Sequence, residues 1–75
     1  MARRFLFREL RARMMLNGDT QADLSRALLL GKTMISHKLT AKRPWTLEEM
    51  YVLLDRYQIP YDQMHIYFPK DGKSV

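Results

Sequence analysis

Apolar residues recur every three or four positions along most of the chain, which is the spacing of one face of an α-helix. Within RRFLFRELRARMMLNGD, Leu6, Leu10 and Met14 lie four residues apart, and Phe7 adds to the same stripe. Gly18 follows the stripe, and glycine tolerates the left-handed conformation that ends many helices. The pattern therefore predicts a first helix that ends at the Asn-Gly dipeptide.

Two short helices are predicted next, within TQADLSRALLLGKTMISHKL. Thr20 suits the N-cap of the first of them, and Asp23 lies at N3, close to a capping box. Gly31 is a workable N-cap for the other. That choice places Leu30 at N′ and Ile35 at N4, the two positions of a hydrophobic staple. Only a few residues therefore separate the two helices.

The third helix has an apolar face and a polar face. Ile35 and Leu39, one turn apart, are predicted to point into the core, as are Leu24 and Leu28 of the helix before it. The other face carries four polar residues at i, i+1, i+4 and i+5, which are Lys32, Thr33, Ser36 and His37.

A fourth helix is predicted after the segment TAKRP. Thr46 as N-cap and Glu49 at N3 make a capping box, with Trp45 and Met50 as the staple pair. The apolar stripe of this helix, at i, i+3, i+4 and i+7, is predicted to be Leu47, Met50, Tyr51 and Leu54.

The segment YDQMHIYF, which follows Pro60, fits either a short fifth helix capped by Asp62 or an extended end. Its large apolar residues either pack on the first helix near Phe5 and Phe7 or form a dimer contact; they are Ile66, Tyr67 and Phe68. The polar end PKDGKSV predicts a folded domain over residues 1–68 and a flexible tail over residues 69–75.

Length and composition exclude several kinds of protein. The 75 residues suffice for one domain with a modest core, and there is no cysteine for a disulfide or a thiolate nucleophile. That composition fits a reducing cytoplasm. His37 and His65 lie far apart, so no metal site is expected. No apolar run approaches the roughly 18 residues of a membrane span. No catalytic arrangement is recognisable, so we expect no enzyme, no cofactor and no small-molecule substrate.

The net charge of +5 is unevenly distributed. Through residue 43 there are ten basic and three acidic residues, a net charge of +7; from residue 44 on, three basic residues stand against five acidic ones, a net charge of −2. A basic first half suggests one face directed at a polyanion. The basic amino-terminal segment also fits a membrane-surface helix or a transit peptide, although it lacks serine.

This succession of motifs resembles the phage repressor and Cro-type (lambda repressor-like) helix-turn-helix family, especially its small prophage-encoded members. The resemblance runs from about Leu10 to Phe68 and rests on L-x-x-x-M-M-x-x-G-D-T-Q, on QADLSRAL and on WTLEEM. It implies an all-α domain of four to five helices with the helix-turn-helix at about residues 20–39. It also implies that the third helix enters the DNA major groove.

The resemblance divides the polar residues into two groups. Side chains on the outer face of the third helix would contact base edges, namely Lys32, Thr33, Ser36 and His37. Side chains around the motif would contact phosphates, namely Gln21, Lys38, Lys42 and Arg43. The implied partner is double-stranded operator DNA. Family members usually form two-fold dimers that bind half-sites about 34 Å apart, so a homodimer is possible.

One position departs from the family pattern. Leu29 lies where the family usually has the turn glycine, and a glycine comes two residues later, at Gly31. Either Leu29 adopts the left-handed conformation at a cost of about 1 kcal/mol or more, or the turn is reshaped and the preceding helix is longer.

The sequence therefore predicts a cytoplasmic, sequence-specific DNA-binding regulator of transcription. The alternative is a protein-interaction or antirepressor module on the same scaffold, without DNA binding. The polar, cationic third helix argues against that alternative, because protein interfaces favour aromatic and apolar anchors.

Overall fold

The computed structural model describes residues 6–73, which contain helices and no strand. The five α-helices are α1 (Arg8–Leu16), α2 (Gln21–Leu28), α3 (Lys32–Leu39), α4 (Leu47–Arg56) and α5 (Met64–Tyr67). Two 3-10 turns, Tyr61–Gln63 and Lys70–Gly72, flank α5. The predicted all-α domain is confirmed.

The predicted helix starts are confirmed by their caps. Thr20 and Asp23 form a complete capping box at α2, in which the Asp23 carboxylate accepts from the Thr20 backbone at 2.8 Å. Thr46 and Glu49 do the same at α4, with a backbone-to-carboxylate distance of 2.9 Å. Gly31 is the N-cap of α3. Each capping box joins residues three positions apart, so local sequence suffices to specify it.

The first helix begins later than its apolar stripe predicted. Phe7 is the N-cap of α1 in a left-handed conformation, with φ 54°, so Leu6 and Phe7 precede the helix. The Phe7 N–H donates to the Gly72 carbonyl at 2.8 Å. The buried ring lies so close to Gly72 that a Cβ there would be 2.7 Å from it. Phe5, near which Ile66, Tyr67 and Phe68 were expected to pack, lies outside the described residues.

The core draws on every helix. Its buried members are Phe7, Leu10, Met14, Leu24, Ile35, Leu39, Trp45, Leu53, Leu54, Tyr57, Ile59 and Tyr67. The predicted stripe of α4 is confirmed at Met50 and Leu54 and wrong at Leu47 and Tyr51, which are exposed. The side chains of α4 and its C-cap that pack inward have the same spacing three residues later, at Met50, Leu53, Leu54 and Tyr57.

The carboxyl-terminal segment is helical and packs within the chain. The side chain of Asp62 caps neither the first 3-10 turn nor α5. Tyr67 is buried, and the Phe68 ring lies 5.5 Å from the Trp45 ring in an edge-to-face contact. Ile66 faces outward. Because Gly72 is also buried, the packed part of the chain extends past residue 68.

Asp19, just before α2, ties the helix-turn-helix to α4. Its carboxylate accepts from Arg56 Nε at 2.8 Å, from Arg56 Nη2 at 2.7 Å and from the Tyr57 hydroxyl at 2.8 Å. The hydrogen bonds from Arg56, and then that from Tyr57, hold the pKa of Asp19 well below its usual value, although burial opposes them.

We expect Asp19→Asn to destabilise the fold by about 1.5–3 kcal/mol at neutral pH, the usual contribution of hydrogen bonds to a charged group. Because the pKa of Asp19 is lower in the folded chain, its contribution is complete above the unfolded pKa of about 4 and disappears as pH falls below it. Thermal melts at a series of pH values from neutral to acidic should show the melting temperatures of the wild type and of Asp19→Asn converging as the pH falls. Asp62→Asn, at an exposed aspartate, is the control. A difference in melting temperature between the wild type and Asp19→Asn that stayed constant with pH would contradict a stabilising role for the ionised Asp19 carboxylate.

Candidate nucleic-acid interface

Helices α2 and α3 are joined by three residues, and Leu29 is the one that turns the chain. It adopts the left-handed conformation, with φ 56° and ψ 42°, and is 90% exposed. The Leu30 N–H donates to the Ser25 carbonyl at 3.0 Å, and the Ser25 hydroxyl donates to the Leu30 carbonyl. The turn thus keeps a compact geometry with leucine at the left-handed position, and α2 is not extended.

The outer face of α3 keeps all four predicted base-contacting residues together. Lys32 and Thr33 are exposed in its first turn, and Ser36 and His37 are half-buried one turn later. Ile35 is fully buried, as is Leu39 on the same inner face. The core therefore holds α3 by one face and leaves its polar face accessible.

Lys38 does not belong to that accessible surface. It is only 6% exposed, and its Nζ donates to Glu49 Oε1 at 2.7 Å and to the Pro44 carbonyl at 2.9 Å. The ammonium also lies 5.8 Å from the centre of the Trp45 ring. This placement corrects the predicted phosphate contact of Lys38. Since Lys38 lies three residues after Ile35, it points to the inner side of α3, where its charge is neutralised within the chain.

The two basic residues after α3 are exposed beside its carboxyl end. The Lys42 N–H donates to the His37 carbonyl at 2.8 Å, and the Arg43 N–H donates to it at 3.2 Å. Ala41, in a left-handed conformation with φ 62°, folds the chain back for these bonds. The backbone of the predicted phosphate-contacting residues Lys42 and Arg43 is therefore held at the carboxyl end of α3.

Gln21 opens α2, and its side chain is half-buried. The neighbouring capping box places the Asp23 carboxylate at the same helix end. Hydrogen bonds from the Thr20 backbone and hydroxyl lower the pKa of Asp23, so it is ionised at neutral pH. That charge offsets part of the helix dipole, and a phosphate here would rely on the Gln21 amide more than on the dipole.

Arg11 supports α3 in a way that the sequence pattern did not indicate. Its Nη2 donates to the Leu39 carbonyl at 3.2 Å, and its Nε donates to the Leu6 carbonyl at 3.1 Å. A cation at one of the last carbonyls stabilises the end of a helix. No local signal could have identified this contact, because Arg11 and Leu39 are 28 residues apart. Arg8, the neighbouring basic residue of α1, is exposed, and Arg3 and Arg4 lie outside the described residues.

Within residues 6–73, no group of three or more potential metal ligands comes together. None of the helices described there is long and apolar enough to cross a membrane. No protein-family model, curated protein or solved structure matches the chain.

Proposed function

We propose that the chain is a sequence-specific double-stranded DNA-binding protein of the phage or prophage regulator type, with α3 as the recognition helix. The observation that carries this proposal is the division of α3 into two faces. Ile35 and Leu39 are buried without exposure, while Lys32 and Thr33 extend into solvent beside Ser36 and His37. A helix that enters the major groove must be held from behind in this way.

The dimensions and chemistry of α3 support the proposal. An α-helix with its side chains is about 10–12 Å across, which matches the roughly 12 Å width of the major groove, and the eight residues of α3 make about two turns that can lie along it. Lys32 can donate to guanine O6 and N7, and His37 to guanine N7 or a phosphate. Thr33 and Ser36 can donate or accept, and the Thr33 methyl can contact a thymine methyl.

Phosphate contacts would come from Lys42 and Arg43, which follow α3, and from Gln21, which opens α2. Such contacts fix the position of a protein on the duplex without selecting its sequence. The surplus of positive charge through residue 43 would favour encounter with DNA at low salt.

We expect alanine substitution of base-contacting and phosphate-contacting residues to have different effects. Lys32→Ala and His37→Ala should each lose about 1–3 kcal/mol of discrimination between a preferred duplex and a scrambled one. Arg43→Ala should weaken binding to both duplexes and reduce the salt dependence by about one unit of slope. Fluorescence anisotropy at several salt concentrations measures this, with the preferred duplex selected from a random library.

Lys70→Ala is the matched control, because Lys70 is an exposed lysine of the last 3-10 turn, away from α3 in the sequence. It should leave specificity unchanged. If Lys32→Ala and His37→Ala lost the same affinity on both duplexes, α3 would not contact bases. If no duplex bound in a salt-dependent manner, the scaffold would serve protein interaction instead.

A further inference from the structure

Exposed apolar side chains in residues 6–73 are concentrated rather than scattered. Six of the eight large ones belong to two surfaces, which include Met15, Leu16, Leu47, Tyr51, Val52 and Tyr61. Single exposed apolar residues are ordinary on a small protein, whereas grouped ones mark interaction sites.

The first surface is an open groove of ≈ 820 Å³ between α1 and the start of α2, here called the α1 groove, and Gln21, the candidate phosphate contact, lies at its edge. Met15 and Leu16 are 81% and 82% exposed, and both line the groove. The exposed Arg8 supplies charge at the groove, and Arg11 adds to it while its guanidinium donates to the Leu6 and Leu39 carbonyls. The carboxylate of Asp19, which also lines the groove, is already paired with Arg56. The α1 groove is therefore apolar and basic.

The second surface is the outer face of α4, here called the α4 stripe. Its members are all exposed and follow helical spacing at i, i+1, i+4, i+5 and i+8, namely Leu47, Glu48, Tyr51, Val52 and Asp55. Tyr61 packs on the stripe, with its ring 4.8 Å from that of Tyr51 and its hydroxyl donating to Asp55 at 2.6 Å. The α4 stripe is therefore apolar, acidic and partly ordered before any partner binds.

We propose that these two surfaces bind each other between copies of the chain, with the α4 stripe of one copy seated in the α1 groove of the next. The exposed apolar side chains of the groove and of the stripe would be buried against each other. The arginines of the groove would then face the carboxylates of Glu48 and Asp55 on the stripe. Complementary charge favours this pairing and opposes wrong ones.

The same charges disfavour a two-fold dimer built from either surface alone. Antiparallel pairing of two α4 stripes would bring Glu48 of one copy against Asp55 of the other. Pairing of two α1 grooves would gather the arginines of both copies, Arg8 and Arg11, in one interface. The contact is therefore heterologous, and each pair of copies retains one unused groove and one unused stripe. Such contacts propagate into open chains unless they close into a ring.

The test uses the full 75-residue chain and one substitution on each surface that introduces a charge of the same sign as the partner surface. Leu16→Glu places an acid in the groove, and Val52→Lys places a base on the stripe. In sedimentation at rising concentration, the wild type should exceed twice its 9.0 kDa mass, and each variant alone should remain a monomer. An equimolar mixture of the two variants should associate, since the intact stripe of Leu16→Glu fits the intact groove of Val52→Lys. High salt should weaken the association.

Matched controls alter equally exposed residues outside both surfaces. Ile66→Lys changes a residue that is 42% exposed, against 41% for Val52, and Leu29→Glu is the counterpart of Leu16→Glu. Both controls should associate like the wild type. If circular dichroism showed that Leu16→Glu is unfolded, Met15→Glu would replace it in the groove. Leu47→Lys would likewise replace an unfolded Val52→Lys on the stripe.

Three results would overturn the proposal. One is a wild type that stays monomeric at every concentration, which would leave the surfaces to a different partner or to none. Another is a wild type that stops at a dimer while Leu16→Glu or Val52→Lys alone still dimerises, which would indicate a two-fold interface. The third is an equimolar mixture of Leu16→Glu and Val52→Lys that does not associate. Because none of these measurements contains DNA, failure here is distinct from failure of the proposed function.

Discussion

Lys38→Ala is expected to destabilise the domain by about 3–5 kcal/mol, the usual cost of removing one partner of a buried ion pair. The ammonium of Lys38 bonds Glu49 at 2.7 Å and links α3 to α4 across a surface where both side chains are largely buried. Without Lys38, the Glu49 carboxylate would remain in that surface with its charge unpaired. Urea denaturation measures the loss.

The pKa of Glu49 offers a second measurement on the same pair. Burial alone would raise it, but hydrogen bonds from Lys38 and from the Thr46 backbone lower it below the usual value. In Lys38→Ala the pKa should therefore rise. Glu49 of the wild type contributes stability above the unfolded pKa and loses that contribution as pH falls below it, and the variant should lack the part of it that comes from Lys38.

Lys42→Ala is the matched control for Lys38→Ala, because it removes an exposed lysine four positions later. Its effect should stay within about 0.5 kcal/mol. A double variant, Lys38→Met with Glu49→Gln, should recover part of the stability, because it leaves no unpaired charge behind. If Lys38→Ala were as mild as Lys42→Ala, the ammonium would be solvated, and Lys38 would return to the candidate phosphate contacts.

Ile35→Ala is expected to cost about 2–5 kcal/mol, since it removes a fully buried side chain and leaves a cavity. A small domain has only about 5–15 kcal/mol in total, so this one change brings the fold close to instability. Ile35 anchors the inner face of α3, and the proposed DNA contacts on the outer face depend on that anchor. Thermal and urea unfolding measure the cost.

Ile66→Ala makes the same chemical change at an exposed position of α5, and it should cost far less. Ile35→Val, which costs about 0.5–1.5 kcal/mol, keeps the domain folded so that DNA binding can be compared at equal folded fraction. If Ile35→Ala and Ile66→Ala lowered the free energy of unfolding equally, the core would not hold α3 by its inner face.

The sequence by itself determined the features that depend on neighbouring residues. The capping boxes at Thr20 and Thr46 and the N-cap at Gly31 follow from side chains and backbone groups within one turn. The division of α3 follows from helical period, because Ile35 and Leu39 must share a face. Local geometry leaves little choice in these cases, and the predicted elements were found.

The tertiary structure alone decided which of several equivalent patterns is buried. The stripe of α4 fits the helical period in two registers, and only packing selected the one that contains Leu53. Leu29 could accept the left-handed turn or avoid it, and the bonds between Ser25 and Leu30 accompany the first choice. In each case the sequence left two local alternatives open, and contacts made on packing separated them.

Lys38 illustrates why charge pattern alone could not locate the whole candidate interface. A lysine on a basic stretch is expected at the surface, but its long stem can be buried when an acceptor meets its ammonium. Here the acceptors are Glu49 and the Pro44 carbonyl, which belong to a segment that meets α3 only in the folded chain. Contacts between residues distant in sequence, such as Arg11 with Leu39 and Phe7 with Gly72, exist only after the chain has packed.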